Sequence, residues 1–123
     1  MTEKTVKAAD TLESPRLRYD PFTNRFVLLE PYVTPEYTIP VGEYTDGGTR
    51  PELASIVGVK QYDRHLPACI VHDWMYRNAI GSKKEADDLF EVNLKRCNAQ
   101  FGFNPELIGP MVSAVRLFGK GAY

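Results

Sequence analysis

A histidine and an aspartate stand side by side in an apolar stretch of the chain, CIVHDWMYRN at residues 69–78. An imidazole can take up and release a proton near neutral pH, which makes His72 a candidate for acid–base chemistry. Asp73 is charged at neutral pH, and burial of an unpaired carboxylate among apolar side chains costs free energy. Either the pair faces water through its helical register, or it takes part in chemistry.

The stretch predicts a helix that begins at Pro67, a favourable residue for a first turn, and runs to about Ala79. With about 100° per residue, the helix has one apolar stripe and a second apolar patch almost opposite, so we expect it to lie between other elements. His72 falls at the edge of the main stripe, with Tyr76 one turn later and Asp73 further round. This register places the His-Asp pair at a margin of the core.

The next segment supplies a carboxylate that can reach His72. Ser82 and Glu85 form a capping-box pattern that opens a helix over residues 83–98. Of two adjacent aspartates, Asp87 flanks the buried stripe of this helix and Asp88 points away from it. Because residues 80–82 are a short connection, we expect an antiparallel hairpin in which Asp87 faces His72. A carboxylate that holds one imidazole nitrogen leaves the other free to act as a general base.

The remaining segments predict the elements that surround this hairpin. Strands are predicted in RLRY, RFVLLE and EYTIPVG, with turns at DPFTN and PYVTP between them. A glycine-rich turn without regular structure follows in EYTDGGTRPE, and PELASIVG predicts a short helix. Asn104 and Pro105 predict the start of a last helix, which Pro110 would kink or restart and which ends near Phe118.

Together these elements indicate an α+β fold, a small antiparallel sheet followed by two or three packed helices. We expect a loose segment over residues 1–14 and a single domain over residues 15–123. The net charge of −1 and the scattered basic residues argue against nucleic acid as a partner. No signal peptide and no transmembrane segment are recognisable, so we expect synthesis and residence in a cytoplasm. Cys69 and Cys97 are expected to be buried free thiols, because the hairpin holds them too far apart for a disulfide.

Two segments of the hairpin, CIVHDWMYR (69–77) and ADDLF (86–90), resemble the catalytic helices of phospholipase A₂. Bacterial enzymes and the parvoviral capsid domain carry the most similar versions. The resemblance implies that His72 takes a proton from water, that Asp87 holds its other ring nitrogen, and that Tyr76 hydrogen-bonds near Asp87. It also implies that Asp73 is a Ca²⁺ ligand and that the ion polarises the ester carbonyl.

The chain departs from the phospholipases in one respect. Their glycine-rich calcium loop just before the His-Asp pair is missing, and the nearest substitute is Thr45–Asp46–Gly47–Gly48, upstream in the chain. We expect this segment to complete the Ca²⁺ site with the Asp46 carboxylate and the flexible carbonyl of Gly47.

A second resemblance covers most of the chain. Four segments in order resemble a family of uncharacterised phage and prophage proteins, a domain of unknown function found near lysis or tail genes: IPVGEYTDGGTRPE (39–52), PACIVHDWMYR (67–77), GSKKEADDLF (81–90) and AVRLFGKGAY (114–123). It implies synthesis in the host cytoplasm, with packaging in the virion left open. One predicted function is a calcium-dependent lipid hydrolase that acts on host membrane phospholipids in lysis or entry. The alternative is a non-catalytic virion, tail or assembly protein whose partners are other virion proteins.

Each candidate residue also has a purely structural interpretation. His72 can be a core histidine, with Asp73 exposed by its register, and Tyr76 can be a packing residue. Asp46 can belong to an Asp-Gly-Gly turn that uses positive φ angles. These interpretations stay open on the sequence alone.

Overall fold

Five short strands lie in the N-terminal half of the computed structural model, which describes residues 11–47 and 51–123. In order they are β1 (Leu17–Asp20), β2 (Arg25–Leu28), β3 (Tyr32–Val33), β4 (Thr38–Ile39) and β5 (Tyr44–Thr45). β1, β2 and β5 form one antiparallel sheet in that order, and β3 pairs with β4 in a separate two-stranded ladder. The small antiparallel sheet predicted for this half is confirmed.

Two of the strands lie where the sequence predicted turns. Tyr32–Val33 falls within PYVTP, and Tyr44–Thr45 falls within the glycine-rich segment that was expected to lack regular structure. Both predictions are wrong at these positions. A two-residue strand is too short to show an alternating pattern of its own, so its pairing partner decides the conformation. Here Thr45 pairs with Phe26 of β2, which brings β5 into the larger sheet.

The C-terminal half is helical, which confirms the α+β class. Its elements are α1 (Pro51–Ala54), α2 (Leu66–Asn78), α3 (Lys83–Phe101), a 3₁₀ turn (Pro105–Leu107) and α4 (Ile108–Phe118). The capping box of α3 is present: the Ser82 hydroxyl accepts from the Glu85 N–H at 3.0 Å, and the Glu85 carboxylate accepts from the Ser82 N–H at 2.8 Å. α4 runs through Pro110 without interruption, because a proline in the first turn removes no intrahelical hydrogen bond. Within the described residues, no helix is both long and apolar enough to cross a bilayer.

α2 lies between two apolar clusters, as its two apolar sides predict. Ala68 and Cys69 belong to a cluster with residues of α3 and α4, including Phe90. Ile70 and Val71 belong to a second cluster with side chains of the sheets. Both cysteines are buried and are not joined in a disulfide, as expected. The helix that carries the His-Asp pair is therefore packed on both sides, which fixes the positions of its side chains.

Residues 11–14 contact distant parts of the chain. Leu12 is buried, and its backbone exchanges two hydrogen bonds with the Gln100 side chain, at 2.5 and 3.0 Å. The Glu13 carbonyl accepts a hydrogen bond from the Tyr32 hydroxyl at 2.7 Å. These partners lie far along the chain, so the local composition did not reveal them. Residues 1–10 lie outside the described part of the chain.

Candidate active site

His72 and Asp87 lie in contact where α2 packs against α3. The chain reverses direction over residues 79–82, with Ala79 and Gly81 at positive φ angles of 50° and 64°. This connection places the middle of α2 beside the first turns of α3. His72 Nε2 lies 2.9 Å from Asp87 Oδ1. The structure thus brings together the histidine and the carboxylate that the helical registers paired.

Asp87 accepts hydrogen bonds from three side chains. Besides His72, the Tyr76 hydroxyl donates to Oδ1 at 2.5 Å and Lys83 Nζ donates to Oδ2 at 2.7 Å. Burial alone would raise the pKa of Asp87, but the hydrogen bonds from His72, Lys83 and Tyr76 outweigh it and hold that pKa below its ordinary value. Asp87 is therefore an ionised carboxylate at neutral pH and can only accept.

The ionisation of Asp87 determines the tautomer of His72. Because Asp87 accepts, Nε2 must carry the proton, and the lone pair lies on the other ring nitrogen, Nδ1. Among the described residues, no hydrogen bond reaches Nδ1. This is the tautomer that a general base needs.

The surroundings of His72 differ from the margin that the sequence predicted. The residue is only 2% exposed, and Asp73 is equally buried. The centroid of the His72 ring lies 4.1 Å from the centroid of the Tyr76 ring and 4.4 Å from that of the Phe90 ring. The helical register placed His72 at the edge of the apolar stripe but carried no information on what covers that edge. In this conformation aromatic rings enclose the base.

Asp73 contacts the sheet through Thr45. The Thr45 hydroxyl donates to Asp73 Oδ2 at 2.8 Å and accepts from the N–H of Gly47 at 3.0 Å. The segment that was expected to replace the calcium loop therefore lies beside Asp73. Gly47 has φ +65°, and a Cβ added there would lie 1.9 Å from the carbonyl oxygen of Gln61, so only glycine fits.

Asp46 is held by a different donor. Its Oδ1 accepts from Arg25 Nε at 2.8 Å, whereas Asp73 is held by Thr45. Calcium takes six to eight oxygen ligands, and carboxylates are suitable ones. Yet among the described residues no group of three or more His, Cys, Asp or Glu side chains could hold a metal ion. Calcium binding by Asp73, Asp46 and Gly47 stays a prediction; Gly48 lies outside the described residues.

Lys83 is a member of the site that the sequence analysis missed. Its Nζ donates to Asp87 and also to the carbonyls of Val115 and Arg116, at 2.9 and 3.2 Å, in the last turn of α4. The spacing of Lys83 and Asp87, four residues apart on one helix, is a signal for an ion pair. The contact with α4 depends on tertiary packing and has no local signal. Lys83 connects the Asp87 carboxylate to α4, and His72 and Tyr76 connect it to α2.

A comparison with protein-family models matches residues 26–102 to the family described as "Protein of unknown function (DUF1353)". The matched residues run from β2 to the end of α3 and contain His72, Asp73, Tyr76 and Asp87. The chain belongs to this family. Membership in DUF1353 confirms the expected domain of unknown function. No curated protein and no solved structure matches the chain.

Proposed function

We propose that this DUF1353 protein hydrolyses ester bonds of phospholipids, with His72 as the general base. The observation that carries the proposal is the 2.9 Å contact between His72 Nε2 and the ionised Asp87. A carboxylate in this position fixes the tautomer of the imidazole and stabilises the imidazolium that forms during the reaction. The phospholipid class is suggested by the resemblance of residues 69–77 and 86–90 to the helices of phospholipase A₂.

The reaction moves one proton to His72 and back. Nδ1 takes a proton from water while the water oxygen bonds to the ester carbonyl carbon, which gives a tetrahedral intermediate. The intermediate then breaks its bond to the alkoxide, and the alkoxide takes the proton from the imidazolium. The products are a carboxylic acid and an alcohol, and His72 is neutral again. Asp87 stays ionised throughout, and Tyr76 and Lys83 hold its carboxylate in place.

Release of fatty acid from phospholipid vesicles tests the proposal, with calcium present and absent. We expect release by the wild type and a loss of roughly a hundredfold or more in His72→Gln, because a general base contributes about that factor. His65→Gln is the matched control, since it changes the only other histidine. Circular dichroism would confirm that each variant folds. Hydrolysis that survives His72→Gln would refute the role of His72.

A second candidate function is a non-catalytic role in the virion or in assembly of a tailed phage. The burial of His72 favours it, because a buried, hydrogen-bonded network that joins three helices stabilises a scaffold without chemistry. The phage setting comes from the resemblance of the four ordered segments. Mass spectrometry of purified virions tests this candidate. A protein that is present in particles and inactive on vesicles would favour it, and absence from particles would count against it.

A further inference from the structure

We infer that residues 119–123 form a cover over Tyr76 that closes the His72–Asp87 pair off from solvent, and that release of this segment opens the pair. The segment follows α4, has no regular secondary structure, and crosses the C-terminal part of α2. We call residues 119–123 the cover segment. Its catalytic meaning depends on the proposed function, but its effect on the exposure of His72 does not.

Two glycines allow the cover segment to lie directly on Tyr76. A Cβ added at Gly119 would lie 2.6 Å from the Tyr76 hydroxyl oxygen, and one added at Gly121 would lie 3.0 Å from Tyr76 Cγ. Real Cβ atoms essentially never lie as close as 2.6 Å to another atom, and 3.0 Å is at the limit of the contacts they make. The segment and the tyrosine ring are therefore in close contact on two sides.

Hydrogen bonds attach the cover segment to the end of α2. The Ala122 N–H donates to the Tyr76 carbonyl at 2.8 Å. The Tyr123 hydroxyl shares its proton between the carbonyls of Met75 and Ile80, at 3.1 and 2.8 Å. The last carbonyls of a helix lack intrahelical donors, and the Ala122 N–H supplies one to the Tyr76 carbonyl near the end of α2. The Met75 carbonyl already accepts from the Ile80 N–H at 3.0 Å, so the Tyr123 hydroxyl is an additional donor there.

The Tyr76 ring lies between the cover segment and the imidazole of His72. The Tyr76 ring contacts the Tyr123 ring edge-on at 5.6 Å between centroids, and it also contacts the His72 ring at 4.1 Å between centroids. Burial and the nearby Asp87 carboxylate raise the pKa of Tyr123, in keeping with its place beside the site.

The cover segment is also the part of this enclosure that can open most easily. Gly121, Ala122 and Tyr123 are exposed, whereas Phe90, which also packs against the His72 ring, belongs to the core. A segment with few buried apolar contacts and exposed hydrogen bonds opens locally at a much lower free energy than the core. Opening of this segment would free Tyr76 to move away from His72.

Chemical modification of histidine tests the inference without a substrate. Diethyl pyrocarbonate acylates neutral imidazole, and peptide mass spectrometry assigns the product to His72 or to His65. His65 is fully buried and serves as an internal control in the same sample. We expect slow modification of His72 in the wild type. In Tyr123→Ala we expect modification of His72 to become roughly tenfold faster or more, because the two hydrogen bonds and the ring contact of Tyr123 are lost. The modification rate of His65 should not change.

Tyr19→Ala is the matched control for the loss of a tyrosine. Tyr19 is 47% exposed and Tyr123 is 42% exposed, and the Tyr19 hydroxyl also donates to another residue, Asn24. We expect Tyr19→Ala to leave the modification of His72 at the wild-type rate. Tyr123→Phe, which keeps the ring and loses the hydrogen bonds, should be intermediate, and it decides the test if Tyr123→Ala does not fold.

Two results would overturn the cover. One is an unchanged rate at His72 in the Tyr123 variants, and the other is an equal rise at His65, which would indicate general loosening. The vesicle assay separates this inference from the proposed function. Faster modification of His72 in a protein that releases no fatty acid would support the cover and refute the hydrolase. Fatty acid release with His72 equally protected in every variant would support the hydrolase and refute the cover.

Discussion

Asp87 accepts hydrogen bonds from three side chains of the candidate site, those of His72, Tyr76 and Lys83. We predict that Asp87→Asn lowers the free energy of unfolding by about 1–3 kcal/mol, because the amide places donors against donors and leaves a buried group unsatisfied. Denaturant unfolding at neutral pH measures the change.

Asp88→Asn provides the comparison for this variant, one residue along the same helix. The Asp88 carboxylate is solvent-accessible, and it pairs with Lys84 and Arg116 at the surface. Such pairs contribute little to stability, so we expect almost no change. Equal destabilisation by the two variants would contradict a special role of the buried carboxylate.

His65 gives the protein a dependence of stability on pH. Burial lowers the pKa of His65 from its ordinary value of 6.5, and the charge of Asp63 offsets only part of this effect. The unfolded chain therefore binds a proton near pH 6.5 that the folded chain does not bind until a lower pH. Stability contributed by the neutral, buried ring is complete above pH 6.5 and falls as the pH drops towards the folded pKa.

Thermal unfolding of the wild type and His65→Gln checks this expectation. Between about pH 8 and about pH 5.5 the Tm of the wild type should fall by more than that of the variant, since glutamine does not titrate. Both proteins keep His72 and all carboxylates, so the difference isolates His65. Parallel pH profiles would contradict the expectation.

β5 and α2 meet at the place where a calcium site was expected, joined by the hydrogen bond from Thr45 to Asp73. Thr45 donates to Asp73 Oδ2 and Arg25 donates to Asp46 Oδ1, so each of these bonds leaves the second carboxylate oxygen for other partners. We predict calcium binding in the wild type and its loss in Asp73→Asn, because the ion needs that carboxylate. Calorimetric titration measures both, and no binding up to millimolar calcium would contradict the prediction.

The helices were predictable because their signals are local. The capping box of Ser82 and Glu85 marks the start of α3, and Pro67 marks the first turn of α2. The helical registers of α2 and α3 and the short connection over residues 80–82 then suffice to predict that Asp87 faces His72. The strands β3 and β5 were not predictable, since two residues carry no pattern and their pairing is decided by distant segments.

The burial of the candidate site also could not be predicted from the sequence. The contact of Lys83 with the last turn of α4 and the contact of residues 119–123 with Tyr76 join segments more than 30 residues apart. No periodicity in α2 indicates them, so His72 was expected at a margin and is buried instead. His72 and Asp87 were recognisable as a pair by type and spacing, but their access to solvent depends on tertiary packing.

The molecule as a whole places a single His-Asp pair between two apolar clusters, with α4 and the cover segment closing one side. The DUF1353 match ends at residue 102, so α4 and the cover segment lie outside it. His72 and Asp87 therefore lie inside the matched region, whereas α4 and the cover segment follow it in the chain. We propose that His72 of this pair activates water for attack on an ester.

Hydrolysis of phospholipid vesicles in water enriched in oxygen-18 tests this claim most directly. If His72 takes a proton from water and the water oxygen bonds to the carbonyl carbon, the released fatty acid carries one heavy oxygen. His72→Gln, confirmed to be folded, should release almost none. Absence of fatty acid, fatty acid without the heavy oxygen, or equal release by His72→Gln would contradict the claim.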